Sequence, residues 1–224
     1  MNFSTLFRFV GDGLMVASRA ITLKKLRSVR SVDGLSLKTE TLYLMVYLSR
    51  YLDLFHFYRD NMLDIYNNVF KICFLLYQFY MVIKILVNDR SYNKNKDKFP
   101  FSVIIILSLI VTFIINRDVT DHKIKEFFYR FSLILESVAL LPQLSMIQEC
   151  GECETMTGLY IMMLGMYRIS YLVYFLLNKF VVKKNISSLL IITSLIQSIL
   201  HFDFIFNHGK SLLVKKSTVF TNKK

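Results

Sequence analysis

Charged side chains interrupt an apolar stretch of the sequence at Arg50 and Asp53, within residues 42–58. On insertion scales, an ionised side chain costs about 2.5–3.5 kcal/mol at the centre of a bilayer. Such residues are therefore rare in membrane helices, and they pair with one another or mark a functional site. Arg50, Asp53 and His56 recur every third residue, which predicts one polar face on a single helix over 40–58. Arginine on this face suits a carboxylate, and aspartate suits a cation.

Further charges lie inside other apolar stretches, at Arg8, Glu126, Glu136 and Arg168. With the amino terminus on the non-cytosolic side, most of these charges fall in the outer half of the bilayer. Arg168, for example, precedes Asn178 by ten residues. That places it about 15 Å from the helix end at 1.5 Å per residue. The pattern predicts a polar cavity open to the non-cytosolic side, and the alternative is a set of internal ion pairs that join helices.

Aromatic and polar residues also recur at helical spacing. Tyr129, Glu136 and Gln143 are seven residues apart and are predicted to share a face of the fifth helix, with Glu126 one turn before Tyr129. A tyrosine stripe flanks Arg168 on the sixth helix: Tyr160, Tyr167, Tyr171 and Tyr174. These stripes would line the same cavity.

Composition defines the class of protein that must position these residues. The chain has 224 residues, of which 54% are hydrophobic and 15% aromatic, and its mean hydropathy is +0.44. These values exceed what one soluble core needs, so they indicate an all-α polytopic membrane protein. We predict one receptor domain over 1–209 and a basic cytosolic tail over 210–224. Seven apolar stretches are predicted to span the membrane: 3–22, 40–58, 62–87, 100–117, 123–147, 155–178 and 186–207.

We interpret the net charge of +12 as a determinant of the orientation of the chain in the membrane. Basic residues cluster in short loops between apolar runs, which argues against a nucleic-acid partner. The loops near 24–38 and 90–98 and the tail hold most of them, so the carboxyl terminus is predicted to be cytosolic and the amino terminus lumenal. The first stretch is interrupted by charge and lacks the uninterrupted apolar core and cleavage site of a signal peptide, so it is predicted to be a helix.

The sequence gives no sign of catalysis. We find no nucleophile beside a base, no metal cluster and no phosphate-binding glycine loop, so neither an enzyme nor a cofactor is predicted. Cys150 and Cys153 form a C-x-x-C motif, which is typical of redox or zinc sites. No second ligand pair accompanies it, and its loop is predicted to be cytosolic, where disulfides are rare. A metal site is therefore not expected.

Several segments carry a family resemblance in their order and spacing. They are "MNFSTLFRFVGD" at 1–12, "SRYLDLF" at 49–55, "LILESVALLPQL" at 133–144, "GECETMTGLYIMMLGMYRISYL" at 151–172 and "QSILHFDFIF" at 197–206. Together they resemble the ER lumen protein-retaining receptor, or KDEL receptor, family. The resemblance extends over nearly the whole chain.

The resemblance implies a fold, a function and partners. Family members have seven transmembrane helices, arranged as two three-helix bundles plus a linking helix as in SWEET and PQ-loop proteins. They bind the carboxyl-terminal Lys/His-Asp-Glu-Leu signal of soluble ER residents that have escaped to the Golgi, and they return this cargo to the ER in retrograde vesicles. Implied partners are this tetrapeptide, the COPI coat and membrane lipids, and implied locations are ER and cis-Golgi membranes.

The resemblance also implies roles for particular residues. Arg8, Arg50 and Arg168 would bind ligand carboxylates, and Asp53 and Glu126 would face the ligand's lysine or histidine. Pocket-lining tyrosines would be Tyr51, Tyr129, Tyr167 and Tyr171. Glu136 and Tyr167 would take part in a proton-linked rearrangement. Retrograde trafficking would involve Asp203 and, through the coat, Lys215 and Lys216.

Some positions depart from the family pattern. Met15 stands where the family has a pH-sensing histidine, and His56 or a buried carboxylate such as Glu136 is the candidate substitute. Phe175 and Asn178 replace a usual tryptophan and arginine. The alternative function is a small-solute transporter of the SWEET/PQ-loop type, suggested by "LLPQL" at 140–144. The arginines favour the receptor, because a neutral sugar does not call for buried guanidinium groups.

Overall fold

The chain is all-helical in a computed structural model that describes residues 3–28, 31–55, 62–88, 91–116, 123–150 and 154–221. No strand occurs in these ranges. A 3-10 turn, Leu52–Phe55, follows the second helix. In chain order the helices are α1 (Phe3–Ser28), α2 (Leu37–Arg50), α3 (Met62–Val87), α4 (Phe101–Ile115), α5 (Lys123–Val138), α6 (Leu141–Cys150), α7 (Thr155–Phe180) and α8 (Ser188–Thr221).

Length and hydropathy show that several helical segments can cross a membrane. Within the described residues these are Asp64–Val87, Ile124–Cys150, Thr155–Phe180 and Ser188–Phe206, and α4 is a shorter apolar helix. Large apolar side chains remain exposed on them, for example Leu76 on α3 and Ile199 on α8. Lipid tails, unlike water, accept such surfaces without cost. The predicted class, an all-α polytopic membrane protein, is confirmed.

The predicted second helix over 40–58 is wrong in its second half. The α-helix ends at Arg50, because the chain tightens into i→i+3 bonding, as it does at many helix ends. The backbone N–H of Tyr51 still donates to Tyr47 O at 3.0 Å, but that of Leu54 donates to Tyr51 O at 3.0 Å. Arg50 and Asp53 therefore lie on different elements and do not share a face of one α-helix. His56 lies outside the described residues.

The predicted fifth helix over 123–147 is interrupted. Pro142 has no N–H to donate to the carbonyl of Val138, and its ring would clash with that carbonyl in a continuous helix. Accordingly α5 ends at Val138, and α6 begins at Leu141 with Pro142 in its first turn, where a missing N–H costs nothing. Gln143 thus lies on α6, and the predicted face shared by Tyr129, Glu136 and Gln143 does not run along one helix.

The helices group into two compact units. We call Met1–Gly34 together with Ile147–Lys224 the terminal unit, and Leu35–Met146 the internal unit. The terminal unit contains α1, α7, α8 and the end of α6. The internal unit contains α2 to α5 and most of α6.

Small and polar residues hold α1 against α7 in the terminal unit. Ser4 near the start of α1 donates to Asn178 near the end of α7, with 3.4 Å between Oγ and Oδ1. Further along α1, Ser18 Oγ donates to Tyr160 O at 3.3 Å. The two helices are therefore antiparallel. Small side chains allow backbones to approach closely, and hydroxyl and amide groups join helices where lipid cannot satisfy them.

Polar contacts also join the helices of the internal unit. Gln78 Nε2 on α3 donates to the backbone oxygen of Glu40 on α2, at 2.9 Å, and to its carboxylate. The backbone N–H of Gln143 on α6 donates to Thr39 Oγ1 at 2.9 Å, and Ser36 N donates to Gln143 Oε1 at 2.8 Å. In "LLPQL", therefore, Pro142 prevents α5 from continuing. Gln143 joins α6 to α2 through two hydrogen bonds.

A buried lysine connects the end of α1 to the start of α7. Lys25 is 1% exposed, and its ammonium forms an ion pair with Glu154 and donates to Thr157 Oγ1, at 2.8 Å, and to Asp33 O. Gly34, with φ of +74°, supplies the left-handed turn beside it. Burial of an ammonium group is tolerated only because these oxygens replace its water.

We expect Lys25→Met to destabilise the protein. The change leaves the oxygens of Glu154, Thr157 and Asp33 without their donor, and the half-exposed Glu154 can turn to water, so the loss should be about 1–3 kcal/mol. Denaturant unfolding in detergent micelles measures it. The adjacent, exposed Lys24→Met is the matched control and should change stability by less than about 0.5 kcal/mol. Equal effects of the two changes would contradict the role of this cluster.

Candidate ligand-binding site

In the terminal unit, α1 presents Arg8 and Asp12 one turn apart. The hydroxyl of Tyr171 on α7 donates to Asp12 Oδ1 at 2.5 Å. Gly11 makes this approach possible, because a Cβ at that position would lie 2.6 Å from Tyr171 Cδ2. The sequence assigned no role of its own to Asp12, yet this residue positions one of the predicted binding tyrosines.

Arg168 lies among aromatic rings on α7. It is 9% exposed, and its Cζ is 4.4 Å from the centroid of the Tyr167 ring. Tyr167 is also buried, and its ring centroid is 5.1 Å from that of Tyr171 in an edge-on arrangement. Tyr171 in turn contacts Phe175 at 5.7 Å between centroids. The predicted tyrosine stripe beside Arg168 is therefore present, with a guanidinium placed for cation–π contact.

Two more residues of the terminal unit bear on the site. Met15 is buried in α1, so the position of the family's histidine is here an apolar contact. His201 on α8 is 2% exposed, and its Nδ1 lies 2.7 Å from Gln197 O. Sequence reasoning did not select His201, although the segment "QSILHFDFIF" contains it. Its spacing was a usable signal, because His201 continues a polar face of α8 that includes Ser194, Gln197 and Ser198.

In the internal unit, Arg50 connects α2 to α5. Its Nη2 lies 2.6 Å from Glu136 Oε2, and its Nε donates to Ser132 Oγ at 3.1 Å. The Glu136 side chain is 3% exposed and that of Arg50 20%. These two predicted site residues are thus direct partners. Ser132 is one turn before Glu136 and was not anticipated.

Glu126, at the start of α5, already has a cationic partner. Arg130 forms an i,i+4 ion pair with it and donates from Nε to Glu126 Oε1 at 3.1 Å. Arg130 Nη1 also donates to Ile115 O of α4 at 3.1 Å. Sequence reasoning missed Arg130, although its i,i+4 spacing from Glu126 was a usable signal.

A pocket of about 330 Å³ opens in the internal unit. It brings together Arg50, Tyr51 and Tyr129, which were predicted to bind ligand. Tyr51 stacks on Tyr47 at 5.5 Å between ring centroids. The pocket is lined by Ser49, Arg50, Tyr51, Leu52, Lys71, Lys125 and Tyr129.

For the remaining predicted residues, the structure gives only the element on which they lie or their exposure. Asp53 lies in the 3-10 turn after α2. Asp203 is exposed on α8. Lys215 and Lys216 belong to the helical backbone of α8, which continues past residue 209 to Thr221. The roles of these residues, and the boundary of the tail, stay predictions.

Fold and site together define a class: a polytopic α-helical membrane protein whose units each hold an arginine beside tyrosines, buried at Arg168 and partly buried at Arg50, an arrangement suited to an anionic ligand. Comparison with known proteins then gives the family. The family described as "ER lumen protein retaining receptor" matches residues 31–178. The chain belongs to this family, which confirms the resemblance noted in the sequence.

Relatives from plants and animals agree with this assignment. The chain is 35% identical to ER lumen protein-retaining receptor A of Arabidopsis thaliana, over 90% of this chain and 92% of that protein. It is 34% identical to the ER lumen protein-retaining receptor of Drosophila melanogaster and 33% identical to ER lumen protein-retaining receptor 2 of Homo sapiens, in both cases over 94% of this chain and 96% of the relative. The similarity therefore includes both units.

We expect Gly11→Ala to displace the Tyr171 ring. The new methyl group would overlap the ring, and overpacking of this kind costs about 1–3 kcal/mol. Melting in detergent measures the loss. Near-ultraviolet circular dichroism reports the tyrosines directly, since the chain has no tryptophan.

Gly13→Ala is the matched control, because a Cβ at Gly13 would meet nothing within 4 Å. It should leave the tyrosine signal unchanged and stabilise the helix by up to about 1 kcal/mol. Similar losses for both variants would mean that Gly11 is required by α1 itself and not by Tyr171.

Proposed function

We propose that this protein is a receptor for carboxyl-terminal retrieval signals of the Lys/His-Asp-Glu-Leu type. It binds soluble ER residents that have escaped to the Golgi and returns them to the ER by retrograde vesicle transport. The observation that carries the proposal is Arg168, a guanidinium buried in a membrane-spanning helix among tyrosines. Relatives named ER lumen protein-retaining receptors support this function over the small-solute transporter.

The charges of the tetrapeptide complement the proposed residues. Counting its terminus, the peptide carries three carboxylates and a single cation at its first position. Guanidinium groups bind carboxylates through paired, charge-assisted hydrogen bonds, which are strong where water is excluded. Arg8, Arg50 and Arg168 are the residues proposed to bind carboxylates. Asp53 and Glu126 would face the cation, and Tyr51, Tyr129, Tyr167 and Tyr171 would line the path of the peptide.

The Arg50–Glu136 pair suggests how binding would depend on pH. A ligand carboxylate that replaces Glu136 on Arg50 exchanges one ion pair for another, so the two acids compete. Protonation of Glu136 would remove its charge and favour the ligand, which gives capture at acid pH and release at neutral pH. Tyr167 would take part in the same rearrangement, and His56 is the other titrating candidate.

Location and trafficking belong to the same proposal. We place the protein in ER and cis-Golgi membranes with a lumenal amino terminus and a cytosolic carboxyl terminus, on the distribution of basic residues and the names of its relatives. Asp203 would act in retrograde transport, and Lys215 and Lys216 would bind the COPI coat. Membrane lipids surround the apolar helix faces.

Peptide binding tests the proposal. Purified protein in lipid nanodiscs is titrated with a peptide ending in Lys-Asp-Glu-Leu or His-Asp-Glu-Leu, as the free acid and as the carboxyl-terminal amide. Loss of a charge-assisted hydrogen bond costs about 1.5–3 kcal/mol, so the free acid should bind at least about tenfold more tightly. Equal affinity of acid and amide would overturn the receptor function.

The same titration at pH about 5.5 and about 7.4 tests the proton linkage, since histidine and coupled carboxylates change charge in this interval. Tighter binding at the lower pH is expected. Equal affinities would remove the proton-linked role of Glu136 and leave the receptor function intact.

A further inference from the structure

A pocket of about 410 Å³ lies along the last turns of α1, in the terminal unit. Two apolar side chains come first along the helix, and two cations and a hydroxyl follow them: Ala20, Leu23, Lys24, Arg27 and Ser28. The proposed peptide site uses none of these residues. A pocket that is apolar at one end and cationic at the other suits an amphiphilic, anionic ligand.

Both cations of this pocket are available to a ligand. Lys24 and Arg27 are exposed, and neither forms a hydrogen bond, ion pair or aromatic contact with any residue that the structure describes. Lys25, which lies between them in sequence, is by contrast buried and paired with Glu154. Residues three apart on a helix are neighbours on its surface. Two full positive charges also outweigh the roughly half negative charge at the carboxyl end of a helix, so this surface attracts anions.

An apolar stripe on α1 leads to these cations. Val16 and Ala20 are exposed, and Leu23, which is partly exposed, continues the same face. Lys24 lies one turn beyond Ala20. From Val16 to Arg27 the helix rises about 16 Å at 1.5 Å per residue, which is close to half the roughly 30 Å thickness of the hydrocarbon core. The stripe and the cations therefore match one leaflet of a bilayer in length.

Contacts between α1 and α7 place the cations at a membrane surface. α7 is long and apolar enough to cross a membrane from Thr155 to Phe180. Lys25 donates to Thr157 Oγ1, at 2.8 Å, in the first turn of that segment. The two cations beside Lys25 thus lie where the hydrocarbon ends and the lipid headgroups begin. In the proposed orientation this is the cytosolic leaflet, which contains anionic lipids.

We propose that this pocket binds an anionic phospholipid of the cytosolic leaflet. Lys24 and Arg27 bind the headgroup, and an acyl chain lies along the apolar stripe. A zwitterionic lipid with the same chains makes the apolar contacts but carries no net charge, so it binds more weakly. The site is additional to the proposed receptor function and does not depend on it.

Lipid binding to the full-length protein, measured by native mass spectrometry from a neutral detergent, tests the proposal. The probes are dioleoyl phosphatidylserine and dioleoyl phosphatidylcholine, which share acyl chains and differ in net charge. A basic residue near an anionic lipid surface contributes about fivefold in affinity. The serine lipid should therefore bind at least about fivefold more tightly than the choline lipid. Equal affinities for the two lipids would overturn the proposal.

Substitutions show whether this pocket is responsible. Lys24→Gln combined with Arg27→Gln should weaken binding of the serine lipid at least about fivefold and leave the choline lipid unchanged. The matched control is Lys96→Gln combined with Lys98→Gln, which removes the same charge from another loop predicted to be cytosolic. It should leave both affinities unchanged. Equal losses in the two double variants would show a general effect of net charge and would overturn the site.

A charge-conserving exchange guards against a folding defect. Lys24→Arg combined with Arg27→Lys keeps both cations and should bind the serine lipid as the unaltered protein does. Melting in detergent should be the same for all variants, because these side chains are exposed. Loss of binding in the exchanged protein, with unchanged melting, would contradict recognition by charge.

Soluble anions distinguish a lipid site from a phosphate site. Glycerophosphoserine, which is the headgroup without acyl chains, and inorganic phosphate are added as competitors in about tenfold excess over the serine lipid. Neither should displace the lipid, because neither can occupy the apolar stripe. Displacement by inorganic phosphate would overturn the lipid assignment. The outcome is independent of peptide binding, so failure of this site and failure of the receptor function are separate results.

Discussion

The ion pair between Arg50 and Glu136 is the interaction on which the internal unit depends. It joins the last turn of α2 to the last turn of α5, and Arg50 Nε adds a hydrogen bond to Ser132 of the same helix. Removal of one partner from such a pair leaves an uncompensated buried charge and costs about 3–5 kcal/mol. In the proposed function the same pair is the switch, because a ligand carboxylate that took the place of Glu136 would leave the guanidinium paired.

In the terminal unit, too, charged and polar groups must find partners within the protein, and the residues that do so are different. Lys25 is surrounded by oxygens of Glu154, Thr157 and Asp33, and Asp12 accepts from Tyr171. Arg168 lies against the ring of Tyr167, whose face of π electrons attracts the guanidinium. Lys25 is held in a closed set of partners and is structural. Arg168 is the residue of this unit that the proposed function assigns to the ligand.

Sequence predicted the class, the family and most helix positions, because apolar runs and charge placement are local signals. It missed the end of α2 at Arg50, since the apolar stretch continues beyond that residue and no proline or glycine marks the change to 3-10 bonding. Proline lacks the N–H that a continuous helix needs, so the break before Pro142 could have been predicted from the sequence, and it was not. Arg130 could have been found from its spacing to Glu126. Ser132 could not, because its contact with Arg50 spans 82 residues of sequence.

The central claim is that the intramembrane arginines bind ligand carboxylates in addition to joining helices. The ratio of amide to acid dissociation constants tests it, measured for the unaltered protein and for Arg8→Gln, Arg50→Gln and Arg168→Gln, with the exposed Arg27→Gln as control. If an arginine binds the terminal carboxylate, its substitution should reduce this ratio about tenfold, while Arg27→Gln leaves it unchanged. A ratio that is the same in every variant would contradict the claim and leave these arginines as structural ion pairs.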